Sequence, residues 1–362
     1  MCPAFSSTRQ AAGFALLLLL ILLSPELPRR SWLPPRQQVY AHISWGAGAF
    51  PYLHDQIFEE TGDIDIAFMG PSRIFWGIDT PQVQEQLTAK LGRKAVVRSL
   101  CWSGPGLDVF YFVLQDLLEH RKVRVIVFPN CTAGAGNFAQ LFTPLYFRMA
   151  DNAAGLAGLP FRVKLSYYAN AILGTPRDLL EALRPNLALI DSDKISWPGY
   201  TNIANPAHRL GSLAIRESMG GAFEEFRPQS KARPEDVCVY SEATSQYFRF
   251  SGDPITAVQS VFARKIGALA RAHGVKLVYL HMPQLNDADT SVIPVQTYWP
   301  DLFGQPVTMM GVPCAKLFAG MADQDIRKLF YNYEHFNQNG QQYFTSLITP
   351  ALIRVYEEQT EP

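Results

Sequence analysis

The chain reads as an α/β protein with a central parallel sheet and helices on both faces, and three observations predict it. Apolar runs of strand length recur at residues 65–69, 95–100 and 123–128, with helical stretches at 80–91 and 107–121 between them. Strand–helix alternation of this kind builds a parallel sheet, because parallel neighbours need a crossover that a helix supplies. A fourth unit comes late: a helix over 257–273 leads into a buried strand over 275–282 that stops at Pro283. Finally, a long amphipathic segment runs from Gln338 to about Tyr356, with Asn337 placed as its N-cap.

Taken in order, residues 11–23 are apolar except for one glycine, with Arg9 before them and Ser24-Pro25-Glu26-Leu27-Pro28 after. This is a targeting or anchoring segment. As a helix, thirteen such residues span about 20 Å, short of the roughly 30 Å hydrocarbon layer. With no Ala-x-Ala pattern close behind, the expectation is an uncleaved single N-terminal membrane anchor, with the remainder of the chain periplasmic or otherwise extracytoplasmic. Arg29, Arg30 and Arg36 outnumber Arg9 and oppose that orientation. Pro25, Pro28, Pro34 and Pro35 make 24–40 a stiff connector, so residues 1–40 are anchor and linker, and 41–362 are the body.

The bulk composition excludes several classes. Hydrophobic residues make up 48% and charged residues 18%, which supports a substantial core and argues against wholesale disorder. Lys+Arg and Asp+Glu are both 32, so no global field draws nucleic acid, and no nucleic-acid partner is expected. Five cysteines, at 2, 101, 131, 238 and 314, lack CxxC or zinc spacing. Cys101 and Cys131 each follow a predicted strand and read first as small buried hydrophobes, with a disulfide between them left open. His42, His54, His120, His208 and His273 are scattered, and neither metal nor cofactor is expected.

Residues 131–252 carry weak strand signals and many prolines and glycines, and read as a large insertion or cap. Its aromatics, Phe138, Phe142, Tyr146, Phe147, Tyr167, Tyr168, Trp197 and Tyr200, either line a substrate cleft or fill a small cap core.

The chemistry gathers where the predicted strands end. In an open parallel sheet, ligands bind outside the carboxyl ends of the strands. There the first strand breaks into Gly70-Pro71-Ser72-Arg73, the second is followed by Ser103-Gly104-Pro105-Gly106, and the third by Pro129-Asn130. Near the other end of the chain stands His335-Phe336-Asn337-Gln338-Asn339-Gly340. A serine hydroxyl needs a base within hydrogen-bond reach to become nucleophilic, and histidine is the side chain matched to neutral pH. The Ser72 and Gly104 amides and the Asn130 side chain are candidate donors to an oxyanion.

These four blocks, in this order, resemble those of the SGNH or GDSL-type hydrolase superfamily, over about residues 62–357 without the insertion. The resemblance implies a flavodoxin-like three-layer sandwich. It also implies a serine esterase or O-acyltransferase with Ser72 as nucleophile, His335 as base and Ser72, Gly104 and Asn130 at the oxyanion. With the N-terminal segment, the chain looks like the bacterial envelope branch that includes glycan O-acetyltransferases. The expected partners are then the membrane, an acylated glycan or lipid substrate, and a membrane acyltransferase.

One departure stands out. The family's aspartate three residues before the histidine is Asn332 here, which supplies geometry without charge. Asp323 or Asp325 offers a substitute from the preceding loop, while Glu334 reads as pointing elsewhere. The competing reading is therefore a catalytically inactive module that binds glycan or a membrane acyltransferase. A phosphate-binding doubly wound protein is disfavoured, since no Gly-rich fingerprint follows the first strand. Arg73 reads either as a contact to an anionic or acyl substrate or as a structural ion-pair partner. His281 reads as a substrate contact or a hydrogen-bonded core residue, and Asp108 as a residue capping or opening the helix after the glycine block.

Overall fold

The structure, a computed structural model, describes residues 6–23, 37, 40, 50–101, 106–129, 160–162, 164–165, 168–169, 172, 225–240, 246–251, 257–296 and 307–360. The chain divides into two compact units, Met1–Pro51 with Gln140–Ser192, and Tyr52–Ala139 with Asp193–Pro362. In the first, helix α1 (Thr8–Leu23) has 16 residues, none of them buried. No helix among the described residues is long and apolar enough to cross a membrane. Most of the stretch read as an insertion, with seven of its eight named aromatics, lies outside the described residues; the exception is Tyr168, which is exposed.

The second unit is built on a six-stranded sheet. Its strands are β1 (Ile64–Gly70), β2 (Val97–Cys101), β3 (Val123–Pro129), β4 (Cys238–Tyr240), β6 (Lys276–Leu280) and β8 (Thr308–Gly311), in the order β2-β1-β3-β6-β8-β4. All pairings are parallel except β4 with β8. A separate parallel pair joins β5 (Phe248–Ser251) to β7 (Ile293–Gln296). All seven residues of β1 are buried, as a strand with a partner on each side and both faces covered must be.

The long helices of this unit fall where the periodicity placed them, and several short ones lie between them. Helices α3 (Ser72–Gly77) and α4 (Thr80–Leu91) link β1 to β2, α5 (Leu107–His120) links β2 to β3, and α6 (Ala257–Ala272) precedes β6. Asp79 caps α4 by accepting from Gln82 N–H. Short helices α7 (Cys314–Leu317) and α8 (Asp323–Arg327) lead to the closing helix α9 (Gln338–Thr360). Helix α5 packs with α6, while α9 packs with α3 and α4, an arrangement compatible with a three-layer sandwich. Upstream, α2 (Phe50–His54) runs into a π-helical turn.

Four strands, β4, β5, β7 and β8, are not placed by the sequence reading. β8 escaped it because Thr-Met-Met-Gly is short and follows no periodic helix. β4, inside the stretch read as an insertion, completes the main sheet as its antiparallel edge. Cys101 is a free, buried thiol whose Sγ donates to Phe68 O, in line with its first reading as a small buried residue; Cys131 lies outside the described residues.

A buried polar cluster ties the last helix to the first strand. Asp65, 4% exposed on β1, accepts from Tyr356 Oη at 2.5 Å, Arg93 Nη2 at 2.6 Å and Val96 N–H at 2.8 Å. Burial alone raises the carboxyl's pKa, but hydrogen bonds from Arg93, Tyr356 and Val96 outweigh it and hold Asp65 below the usual carboxylate range. A depressed folded pKa gives stability that is present above the unfolded value and lost as pH falls through the folded one. Asp65→Asn should therefore lower the unfolding free energy by about 2 kcal/mol at neutral pH, with the difference from wild type shrinking toward acid; urea denaturation at pH 7 and pH 3 measures both.

Candidate active site

The order of the strands reverses between β1 and β3, which makes the carboxyl ends of those two parallel strands the switch point where open sheets of this kind bind ligands. Gly70 closes β1 where the chain has no room for a side chain: a Cβ there would lie 2.6 Å from Pro129 Cδ and 2.6 Å from Ile74 Cγ2. Pro71 then caps α3 in an extended conformation, and Ser72 takes the first helical position. At that position the main-chain N–H has no partner inside the helix.

The histidine arrives on a self-folded loop. Phe330 and Phe336 form an antiparallel bridge, Tyr331 N–H donates to His335 O at 2.8 Å, and Asn337 N–H donates to Leu329 O at 3.0 Å. Beneath it the rings of Phe318, Phe330, Phe336 and Phe344 form a continuous series, each neighbouring pair 4.6–6.0 Å apart between centroids. Asn337 caps α9, its Oδ1 accepting from Asn339 and Gly340 N–H, while its Nδ2 donates to Lys328 O. Gly340 is required because a Cβ would run into Leu329 O and the Phe336 ring.

Serine and histidine meet. Ser72 Oγ and His335 Nε2 lie 2.8 Å apart across 263 positions of sequence. His335 Nδ1 faces Asn332 Oδ1 at 3.0 Å. That same Asn332 atom accepts the Glu334 and His335 N–H groups, each at 2.9 Å, so it is the amide oxygen. Nδ1 must then carry the proton, which leaves the Nε2 lone pair aimed at the serine hydroxyl. Burial pushes the His335 pKa below its ordinary value; Glu334 opposes that shift and the Arg73 charge adds to it. Burial and the Arg73 charge thus favour the neutral ring.

Arg73 is committed to the protein. Its Nη2 donates to Met282 O at 2.8 Å. With the Gln284 amide oxygen turned toward the guanidinium, as the surrounding donors require, Oε1 accepts from Nη1 at 2.9 Å and Nη2 at 3.1 Å. Leu285 N–H in turn donates to Tyr333 O on the histidine loop. The segment after β6 thus bridges the serine turn and the histidine loop, a link with no motif in the sequence to announce it.

His281, at the end of β6, is 3% exposed, and burial first, then the Arg73 charge, pushes its pKa down to about 3. It is a buried residue whose surroundings favour the neutral ring, and its Nδ1 has no hydrogen-bond partner among the described residues, unlike the hydrogen-bonded core histidine of the sequence reading. Asp108 lies buried in the first turn of α5, whose N-cap is Gly106. Asp325 pairs with Lys328 at 3.0 Å, and no hydrogen bond joins it or Asp323 to His335 among the described residues. Glu334 forms no hydrogen bond with His335 among the described residues; its charge acts on His335 and Arg73 only through space, raising the pKa of both. Gly104 and Asn130 lie outside the described residues, and those residues contain no cluster of His, Cys, Asp and Glu able to hold a metal.

Compared with known proteins, the chain matches no family model, no curated protein and no solved structure.

Two outcomes follow from this geometry. Replacing Arg73 by Gln removes a positive charge that disfavours the imidazolium, so the His335 pKa should rise, as an NMR titration of the ring protons would report. Gly340→Ala should destabilise the protein by about 2 kcal/mol or more through overpacking, read as a lowered denaturation midpoint.

Proposed function

We propose that this chain is an SGNH-like serine esterase or O-acyltransferase with a flavodoxin-like sandwich fold. It acts on acyl esters, acetyl foremost, of a bacterial envelope glycan or lipid. The reading rests on one observation: a Ser–His–Asn relay with Ser72 Oγ 2.8 Å from His335 Nε2 and His335 Nδ1 3.0 Å from Asn332 Oδ1. Support comes from its position at the carboxyl ends of β1 and β3. In this proposal α1 is the membrane anchor, and the body lies on the extracytoplasmic side beside a membrane acyltransferase partner.

The chemistry is acyl transfer in two halves. Ser72 Oγ attacks the ester carbonyl carbon while His335 Nε2 takes the hydroxyl proton. Negative charge moves to the carbonyl oxygen, where the Ser72 N–H at the helix start, the Gly104 N–H and the Asn130 amide are the proposed donors. The intermediate collapses, the alcohol leaves with the proton returned by the imidazolium, and an acyl-serine remains. Water or an acceptor hydroxyl, deprotonated by the same imidazole, then releases the acyl group.

The neutral partner of His335 favours a second reading, an inactive module of the same fold that binds glycan or a membrane acyltransferase. Asn332 orients the ring as an aspartate does, yet contributes no negative charge to the imidazolium formed during attack. A fluorophosphonate probe separates the two. The enzyme reading expects labelling that Ser72→Ala abolishes, and His335→Ala should slow acetate release from envelope polysaccharide by about 10³-fold or more; wild-type protein that never labels is the inactive module.

Activity should be lost as pH falls through the depressed His335 value, placing the acid limb of kcat/KM below about 6.5. Asn332→Asp keeps every acceptor and adds the missing charge. It should raise kcat by roughly one to four orders of magnitude and move the acid limb upward, because a neighbouring carboxylate favours the protonated ring.

A further inference from the structure

The loop that delivers His335 sorts its aromatic side chains by face. Phe330 and Phe336 are 7% and 2% exposed, whereas Tyr331 and Tyr333, between them in sequence, are 45% and 61% exposed. Every other strongly exposed large hydrophobic side chain among the described residues lies in the other unit, in α1 or around residues 161–168. A lone exposed aromatic needs no explanation. Two on the five-residue stretch Tyr331–His335, which also holds the proposed base, do.

The backbone under both rings is pinned, Tyr331 by its N–H to His335 O and Tyr333 by its O to Leu285 N–H. Exposed side chains on a fixed backbone form a preorganised contact surface, and tyrosine provides a large amphipathic face with little rotamer freedom to lose. Tyr333 is two residues from His335, a Cα separation of at most about 7.6 Å, which places the backbone under its ring close to the Ser72–His335 contact. Between the rings stands Asn332, also exposed; its Oδ1 serves the loop, while its Nδ2 has no partner among the described residues. The array is ring, amide donor, ring.

We propose that Tyr331, Asn332 and Tyr333 form a sugar-binding subsite, so that the acyl group is presented on a glycan and not on a lipid; this rests on, and narrows, the acyl-transfer reading above. A pyranose offers C–H faces to aromatic rings and hydroxyls to an amide donor and to phenol groups at once. An acyl chain laid across the same surface strips water from two phenol hydroxyls and a primary amide and returns no hydrogen bond to any of them. Glu334, beside the array, disfavours anionic headgroups by like charge.

The test uses Ser72→Ala full-length chain, which keeps the subsite and stops turnover. Binding is measured on an array of bacterial envelope polysaccharides and oligosaccharides, with and without O-acetyl groups, and to phosphatidylglycerol–phosphatidylethanolamine vesicles. The subsite predicts binding to at least one glycan, weakened at least about tenfold by Tyr331→Ala with Tyr333→Ala and retained by the two Phe replacements, with melting temperatures unchanged. Glycan binding indifferent to the tyrosines, no glycan binding at all, or tyrosine-dependent binding to vesicles alone overturns it. Fluorophosphonate labelling of the parent chain is read in parallel. Tyrosine-dependent sugar binding without labelling sinks the enzyme reading and leaves the subsite standing, and labelling without such binding does the reverse.

Discussion

The contact between Ser72 and His335 depends on a loop that is folded before it reaches the sheet. Residues 329–340 close on themselves through the Phe330–Phe336 bridge, the Asn337 N–H to Leu329 O bond and the Asn337 cap, and they sit on a series of buried phenylalanines. The imidazole is therefore delivered on a rigid support. Its direction is set by Asn332 Oδ1, which binds the ring and two backbone N–H groups of the same turn. One side-chain oxygen fixes the loop, the tautomer and the aim of the lone pair.

Charge around the pair is arranged to keep the histidine neutral. Burial and the Arg73 guanidinium both disfavour the imidazolium, and Glu334 only partly offsets them. Such an imidazole stays unprotonated into more acidic pH than a free one, and the amide oxygen on its Nδ1 brings no negative charge to the imidazolium. The same arginine links the serine turn to the segment after β6, so position and electrostatics share a single side chain.

Much of this was legible in the sequence, for identifiable reasons. Helix α4 over Thr80–Leu91 and helix α5 from Leu107 stand where apolar periodicity put them, because each is amphipathic and begins at a marked turn. Ser72 and His335 could be paired because a strand-ending Gly-Pro turn and an Asn-capped helix entrance are local signals, whereas Asn332 is picked out only by the position where the resemblance expects an aspartate. What stayed hidden was non-local. Gln284 becomes meaningful only when the chain after β6 reaches the serine turn. Tyr331 and Tyr333 look like core aromatics until the loop turns their rings outward. β4 is three residues long, and its place in the sheet depends entirely on a partner some seventy positions away.

The Asp65 cluster changes the meaning of helix α9. Strand β1 holds Asp65 near one end and leads to Ser72 at the other; α9 follows His335 at its start and carries Tyr356 near its finish. Strand and helix are thus fastened to each other twice, once by phenol to carboxylate and once by imidazole to hydroxyl. Between the fastenings the helix is a ruler of set length. One residue inserted or deleted there would rotate everything beyond it by about 100° and slide it by about 1.5 Å, so the phenol could no longer meet its carboxylate without dragging the imidazole off the hydroxyl. Surface residues of α9 are open to drift, while its residue count between these two points is not.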